Sequence, residues 1–240
     1  MIRGLYSAAT AMDLAQQNHE VIAQNLANAT MPGYRRQGIV AGTFNQALSA
    51  AGGAAKSLLG TVAGTTFHAF EPGSFQHTGS PLDLAIDGDG FFVLQGPRGP
   101  LYTRNGTFKL SLDGELQSKD GLPVLGTGGP IRIPANAVDI VVGQEGTVTA
   151  DRNSVGQIQI AKFADPTKLI PAGTTLFEAP PGIRPEDGGG AVRQGYRENS
   201  NVQVVNEMVS MIAGMRHFEA AQRALRALSD SIQMNTRPQG

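Results

Sequence analysis

The sequence predicts an α+β fold: long N- and C-terminal helices pair as a coiled-coil-like layer, and the central domain is antiparallel β. Apolar residues recur every three or four positions near both termini, as in amphipathic helices. The central residues instead form short apolar runs separated by dipeptides such as Asn105-Gly106 and Asp113-Gly114. These dipeptides favour hairpin turns, so the centre is predicted to be a compact domain of short strands.

The N-terminal assembly helix is predicted over residues 1–31. Its apolar stripe, with spacings that alternate between four and three, contains Leu5, Ala8, Met12, Ala15, His19, Ile22 and Leu26. Pro32-Gly33 ends the helix, because a proline disfavours helical backbone in the residue before it. Asn28 is interpreted as a C-terminal cap in preference to a bridge between packed helices. For Asn25 the choice stays open.

Residues 32–66 are interpreted as a connector, of which 38–66 are rich in Ala and Gly. The β domain is predicted over residues 67–198. Its strands are predicted at 82–86, 91–94, 131–133, 140–142, 147–149 and 158–160. Inside this domain Asp165-Pro166 predicts a short helical turn, with Asp165 as the cap and Pro166 at the first helical position.

Residues 199–240 are predicted to form a C-terminal assembly helix. Its stripe contains Val204, Met208, Met211, Met215, Phe218, Leu225 and Ile232. Ser200 followed by Gln203 matches a capping box, which predicts a helix start near residue 201. The three methionines are interpreted as packing residues, since they recur at helical spacing.

Both helical stripes need partners, because isolated helices of this length are marginally stable in water. We expect each stripe to be covered by the other terminal helix and then by neighbouring subunits. The predicted assembly interface therefore consists of Leu5, Met12, Ile22, Asn25, Leu26, Asn28, Val204, Met208, Met211, Met215, Phe218, Leu225 and Ile232.

Composition argues against several classes of protein. The formal net charge is −1, and no basic block is present to neutralise phosphates, so nucleic-acid binding is not expected. No apolar stretch approaches 18 residues, so membrane insertion is not expected. The N-terminus has no uninterrupted apolar segment, so no cleaved signal peptide is expected. Cysteine is absent, which excludes disulfides and thiolate metal sites.

No catalytic, cofactor or metal site is predicted. An EF-hand loop that started at Asp87 would need a carboxylate where Arg98 stands, so Asp87–Gly90 is interpreted as a turn. Gly126 and Gly128 are spaced as in a phosphate loop, but Ile131 stands where a third glycine is needed. Pro130 also disfavours the start of a helix after them, so a phosphate loop is not predicted. A carbohydrate-active enzyme would need two converging carboxylates, whereas the acidic residues here fall mainly in turns.

The segment 24–36 (QNLANATMPGYRR) resembles the N-terminal signature of flagellar rod, hook and hook-associated proteins, with Met31 where threonine is usual and Gln24 where asparagine is usual. Four further segments resemble the same family in the same order along the chain. They are 80–92 at the start of the β domain, 102–106 and 121–126 in its hairpins, and 200–202 leading into 208–212 and 218–219 in the C-terminal helix.

This resemblance implies a structural subunit of the flagellar basal-body rod that is not an enzyme. Such subunits form a helical tube in the periplasm that transmits torque from motor to hook. The implied partners are other copies of the chain, adjacent rod or hook subunits and the flagellar type III export apparatus. The alternatives are a hook or hook-associated subunit and a monomeric secreted binding module. The proximal and distal rod types both remain open, and 102–106 and 123–126 favour the proximal type.

Overall fold

The computed structural model describes residues 2–40, 65–134 and 136–236, which divide into two compact units. The helical unit contains the described residues 2–27, 37–40, 65–69 and 203–236. The β unit contains 28–36 and the described part of 70–202. The α+β fold, with a helix at each end of the chain and a β-rich centre, is confirmed.

The helical unit consists of two long helices and a two-stranded ribbon. The helices are α1 (Ile2–Ala27) and α2 (Val204–Thr236), which pack against each other. Strands β1 (Gln37–Val40) and β2 (Thr65–His68) pair antiparallel. Both strands contain residues that the sequence places in or next to the connector. The rest of that connector, 41–64, lies outside the described residues.

The ends of the helices differ from the sequence prediction by a few residues. Helix α1 ends at Ala27, and Met31 N donates to Asn28 O (3.0 Å) in the turn that follows. Helix α2 begins at Val204 and not near 201. The reason is that Ser200 Oγ accepts from Val202 N, two residues on (3.1 Å), whereas a capping box would engage the third residue.

The β unit is built from short antiparallel strands. They are β3 (Phe75–His77), β4 (Leu84–Asp87), β5 (Phe91–Gln95), β6 (Pro100–Thr103), β7 (Phe108–Leu110), β8 (Leu116–Ser118), β9 (Leu125–Gly126), β10 (Gly129–Pro130), β11 (Ile140–Val142), β12 (Thr147–Ala150), β13 (Asn153–Gln157), β14 (Ile160–Lys162), β15 (Ile170–Pro171), β16 (Leu176–Glu178), β17 (Glu186–Asp187), β18 (Ala191–Gln194) and β19 (Tyr196–Glu198).

The largest sheet has six strands in the order β15-β16-β6-β5-β14-β17. Its central strand β5 is buried on both faces, which explains why residues 91–94 are continuously apolar. Phe92 and Leu94 pack in one hydrophobic cluster with Leu84 and Ile86. Phe91 and Val93 point to the other face and pack in a second cluster. Because successive side chains of a strand point to opposite faces of the sheet, strand β5 contributes to both hydrophobic clusters.

The short elements predicted in the β domain agree with the structure to different degrees. Residues 131–133 are not a strand. Arg132 makes an isolated bridge with Glu115, because prolines at 130 and 134 lack the N–H that would extend a ladder. The strand predicted at 158–160 lies at Ile160–Lys162. The short helix Pro166–Lys168 is confirmed, with Asp165 Oδ1 accepting from Thr167 N (3.1 Å).

Candidate assembly surface

Helices α1 and α2 run antiparallel. The C-terminal part of α1 lies beside the first turn of α2, where Asn25 Nδ2 is 3.4 Å from Glu207 Oε2. Further along the pair, Ala15 and His19 of α1 share a groove with Gly214 and Phe218 of α2. Residue numbers therefore rise along one helix as they fall along the other. Each helix has an inner face towards its partner, and α2 also has an exposed outer face opposite to it.

The inner face of α2 repeats with spacings of four, three, four and seven residues. It consists of buried or half-buried residues, namely Glu207, Met211, Gly214, Phe218 and Leu225. The inner face of α1 follows the same rhythm through Met12, Ala15, His19, Ile22 and Leu26, none of which is fully exposed. This spacing keeps one stripe of each helix turned towards its neighbour.

The outer face of α2 is apolar in its first half and exposed to solvent. Val205, Val209 and Ile212 are 72%, 62% and 50% exposed. The same row continues through Arg216, Glu219 and Arg223, which are also exposed. A row of three exposed large aliphatic side chains is unusual on the surface of a helix. This half of the outer face is therefore our candidate for contact with another molecule.

The predicted interface residues divide between these faces. Met12, Ile22, Leu26, Met211, Phe218 and Leu225 lie on the inner faces. Val204, Met208 and Met215 are exposed. Asn28 is half-buried in the turn after α1. The side chains of Leu5 and Ile232 lie outside the described part of the structure. Val205, Val209 and Ile212 are not among the predicted interface residues.

Asn25 joins three elements of the helical unit and is itself fully buried. Its Nδ2 donates to Gln37 O (2.8 Å), and Gln37 N donates to its Oδ1 (2.8 Å). The amide therefore pairs with strand β1 as a second backbone would, while its Nδ2 also faces Glu207 of α2. Asn25 thus holds the end of α1 within its own chain.

We expect the substitution Asn25→Ala to lower the free energy of unfolding of the helical unit by about 1–3 kcal/mol, because two backbone groups of Gln37 lose their partners. The loss of helical circular dichroism in urea measures this change. Asn18→Ala, at an exposed position of the same helix, is the matched control and should shift stability by less than about 0.5 kcal/mol. Equal effects of the two substitutions would contradict the assigned role.

A groove of about 420 Å³ lies between the two helices. Its lining includes Ala15, His19, Gly214, Met215 and Phe218. Gly214 is buried, yet a Cβ at this position would meet no atom within 4 Å. The groove is therefore open enough to admit a side chain from outside the described pair.

A buried ion cluster in the β unit consists of Arg35, Arg104 and Glu198. Arg35 Nη2 lies 2.8 Å from Glu198 Oε1, and Arg104 Nη1 lies 3.4 Å from Glu198 Oε2. Gly73 N also donates to Glu198 Oε1 (2.9 Å). Burial lowers the pKa of the Arg104 guanidinium, and the Glu198 charge opposes that shift. One carboxylate therefore holds two desolvated cations.

This cluster connects segments that lie close to the points where the chain leaves the β unit. Arg35 is next to Arg36, the last residue of the segment 28–36, and its Nη1 donates to Glu71 O (2.8 Å), near the start of 70–202. Glu198 lies shortly before Val202, the last residue of the segment 70–202. Arg35 belongs to a segment that the sequence singled out, whereas nothing in the sequence marked Glu198 as its partner.

The described residues contain no group of three or more His, Asp or Glu side chains placed to hold a metal ion. Neither described helix is long and apolar enough to cross a membrane. The features that stand out are instead an exposed apolar row on α2, an open groove beside it and a buried cluster that fixes the β unit. These features suit contact between macromolecules better than conversion of a small molecule.

Comparison with known proteins gives three family matches along the chain. Residues 5–35 match the family described as flagella basal body rod protein. Residues 85–150 match the flagellar hook protein FlgE/F/G D1 domain. Residues 193–235 match the flagellar basal body rod FlgEFG protein C-terminal family.

Curated relatives are similar over nearly the whole chain. The flagellar basal-body rod protein FlgG of Agrobacterium fabrum is 36% identical, over 91% of this chain and 92% of the relative. FlgG of Bacillus subtilis is 33% identical, over 97% of both chains. The flagellar basal-body rod protein FlgF of Mesorhizobium japonicum is 33% identical, over 95% of this chain and 93% of the relative.

Proposed function

Because the chain belongs to the flagellar basal-body rod protein family, we propose that it is a structural subunit of the rod, which assembles with other subunits through its terminal helices. Its role is mechanical: it forms part of a helical tube that transmits torque from the motor to the hook. The observation that carries the proposal is the exposed apolar half of the outer face of α2, at Val205, Val209 and Ile212.

The proposal assigns separate tasks to the inner faces of the two helices and to the outer face of α2. The inner faces hold α1 and α2 together as a coiled-coil-like pair, since their spacing keeps one stripe in contact along both helices. The outer face of α2 remains for neighbouring subunits. Burying a large aliphatic side chain stabilises a contact by about 1.5–3 kcal/mol. Three such residues in a row on α2 supply part of the free energy that must offset the loss of translational and rotational freedom on association.

The proposal extends to partners and location. Other copies of the chain and adjacent rod or hook subunits are the partners in the tube. The rod lies in the periplasm, and the chain reaches it through the flagellar type III export apparatus. The similarity to basal-body rod proteins along almost the full chain supports these assignments.

We expect the double substitution Val209→Gln and Ile212→Gln to weaken self-association of the purified full chain about tenfold or more. Each change removes apolar area from the contact, and tenfold corresponds to about 1.4 kcal/mol. Sedimentation velocity over a range of concentrations, with electron microscopy of the sedimenting fraction, measures the effect. Glutamine is a good helix former, so the urea midpoint should change little.

A matched control places the same chemical change elsewhere. Leu112 and Val138 are 102% and 94% exposed in the β unit, and their double substitution by glutamine should leave association unchanged. A wild-type chain that stays monomeric at every concentration would contradict the proposed function. So would a control pair that weakens assembly as much as the substitutions on α2.

A further inference from the structure

The six-stranded sheet of the β unit has two exposed edges. Strands β15 and β17 lie at its ends, and each pairs with one neighbouring strand. Ile170 is 50% exposed, and Pro171, Pro185 and Glu186 are exposed as well. An exposed edge offers backbone N–H and C=O groups to which a strand of another molecule can add. What each edge presents to a second molecule therefore depends on the direction of its backbone groups.

Pro171 stands where β15 would offer an N–H to solvent. Ala172 N donates to Leu176 O (2.9 Å), towards the sheet. Successive residues of an antiparallel ladder direct their backbone groups alternately to the neighbouring strand and away from it, so those of Pro171 point outwards. Proline has no N–H to present there. Leu169, the preceding outward residue, already donates its N–H to Pro166 O (3.1 Å). The edge at β15 therefore has no available N–H at two successive outward positions.

Pro185 has the same place at the other edge. Gly188 N donates to Ile160 O (3.3 Å), towards the sheet. Pro185 directly precedes β17 and lies three residues before Gly188, so by alternation its backbone points outwards, where it has no N–H. Gly188 has φ of +99°, which ends the extended backbone after two residues of strand. The exposed charge of Glu186 lies between these two positions. The edge at β17 is therefore short, charged and without an outward donor at its start.

We propose that Pro171 and Pro185 close the two edges of this sheet to strand addition, so that the β units of neighbouring copies do not join through backbone hydrogen bonds. The inference goes beyond the proposed function, because it concerns a contact that subunits must avoid while they assemble through their helices. Copies in a helical tube lie close together, which favours any edge that can pair. The exposed side chain of Ile170 would add apolar contact to such pairing. The missing N–H groups remove its hydrogen bonds.

Replacing both prolines with valine opens the edges in the full-length chain. Valine supplies the missing N–H and favours extended backbone. Pro171→Val and Pro185→Val are introduced together with Val209→Gln and Ile212→Gln, which weaken the helix contact, so that the remaining association reports on the sheet. We expect thioflavin T fluorescence of the sedimented fraction to rise about fivefold or more over the parent chain with both prolines, the gain from one net hydrogen bond between copies.

Two further variants separate edge opening from a loss of stability. Pro97 is exposed in the loop between β5 and β6. Pro97→Val therefore makes the same change away from both edges and should leave the fluorescence unchanged. Pro171→Lys with Pro185→Lys restores the same N–H groups as the valine pair but places a charge on each edge, which disfavours strand addition. This lysine pair should stay as soluble as the parent chain.

The outcomes decide the inference independently of the proposed function. Fluorescence that rises for the valine pair alone supports closed edges. A valine pair that behaves like Pro97→Val overturns the inference. So does a lysine pair that sediments as much as the valine pair, because the loss of the prolines would then act through unfolding of the β unit. Self-association of the wild-type chain through α2 is measured separately, so each of these results leaves the rod function standing.

Discussion

Replacing Glu198 with glutamine is expected to lower the free energy of unfolding of the β unit by about 3–5 kcal/mol. The substitution keeps the shape of the side chain but removes the carboxylate that Arg35 and Arg104 both contact. Both arginines are buried, and breaking a buried ion pair by removing one partner leaves an uncompensated charge in a poorly solvated site. Urea unfolding followed by tyrosine fluorescence measures the change, since tryptophan is absent and Tyr34 and Tyr102 are buried.

The exposed pair between Arg132 and Glu115 provides the control. Its atoms are 2.7 Å apart, but Arg132 is largely exposed. Glu115→Gln makes the same chemical change in water and should cost at most about 1 kcal/mol. If Glu198→Gln and Glu115→Gln lower the free energy of unfolding by the same amount, Arg35 and Arg104 must be solvated in some other way. The ion cluster would then not be what holds the segments around Arg35 and Glu198 together.

The sequence predicts elements well where a local pattern determines them. The helices follow from the spacing of Ile22, Leu26, Phe218 and Leu225, and strand β5 follows from its continuous apolar run. Which side of α2 packs against α1 could not be predicted in the same way. Apolar residues cover more than one side of α2, so periodicity alone does not separate half-buried Met211 from exposed Met208. That choice depends on where α1 packs.

Long-range partners were beyond prediction for a related reason. Asn25 was recognised as a polar residue in a helix, but its acceptor and donor lie on Gln37, in a segment that has no strand signal. Glu198 was not recognised at all, because the sequence does not show which charges meet after folding. Strand order in the six-stranded sheet likewise depends on pairings such as β16 with β6 that no local pattern specifies.

Gly33→Ala is the second substitution for which we expect a large effect, about 2–5 kcal/mol of destabilisation of the β unit. Gly33 has φ of +69°, which costs roughly 1–2 kcal/mol for a residue with a Cβ. That Cβ would also lie 2.3 Å from Asn105 N and 2.6 Å from Arg104 C. Both contacts are with backbone, so the neighbouring loop must move, which adds about 1–3 kcal/mol. Urea unfolding again gives the measurement.

Two other glycines separate strain from crowding. Gly121 has φ of +84°, but a Cβ at this position would have no atom within 4 Å, so Gly121→Ala should show the strain alone, about 1–2 kcal/mol. Gly128 has open space and no positive φ, so Gly128→Ala should be neutral or slightly stabilising. The order Gly33, Gly121, Gly128 is therefore expected for the loss of stability. If Gly33→Ala costs no more than Gly121→Ala, the close approach of residues 104–105 is not a constraint, and the glycine is required only for its backbone conformation.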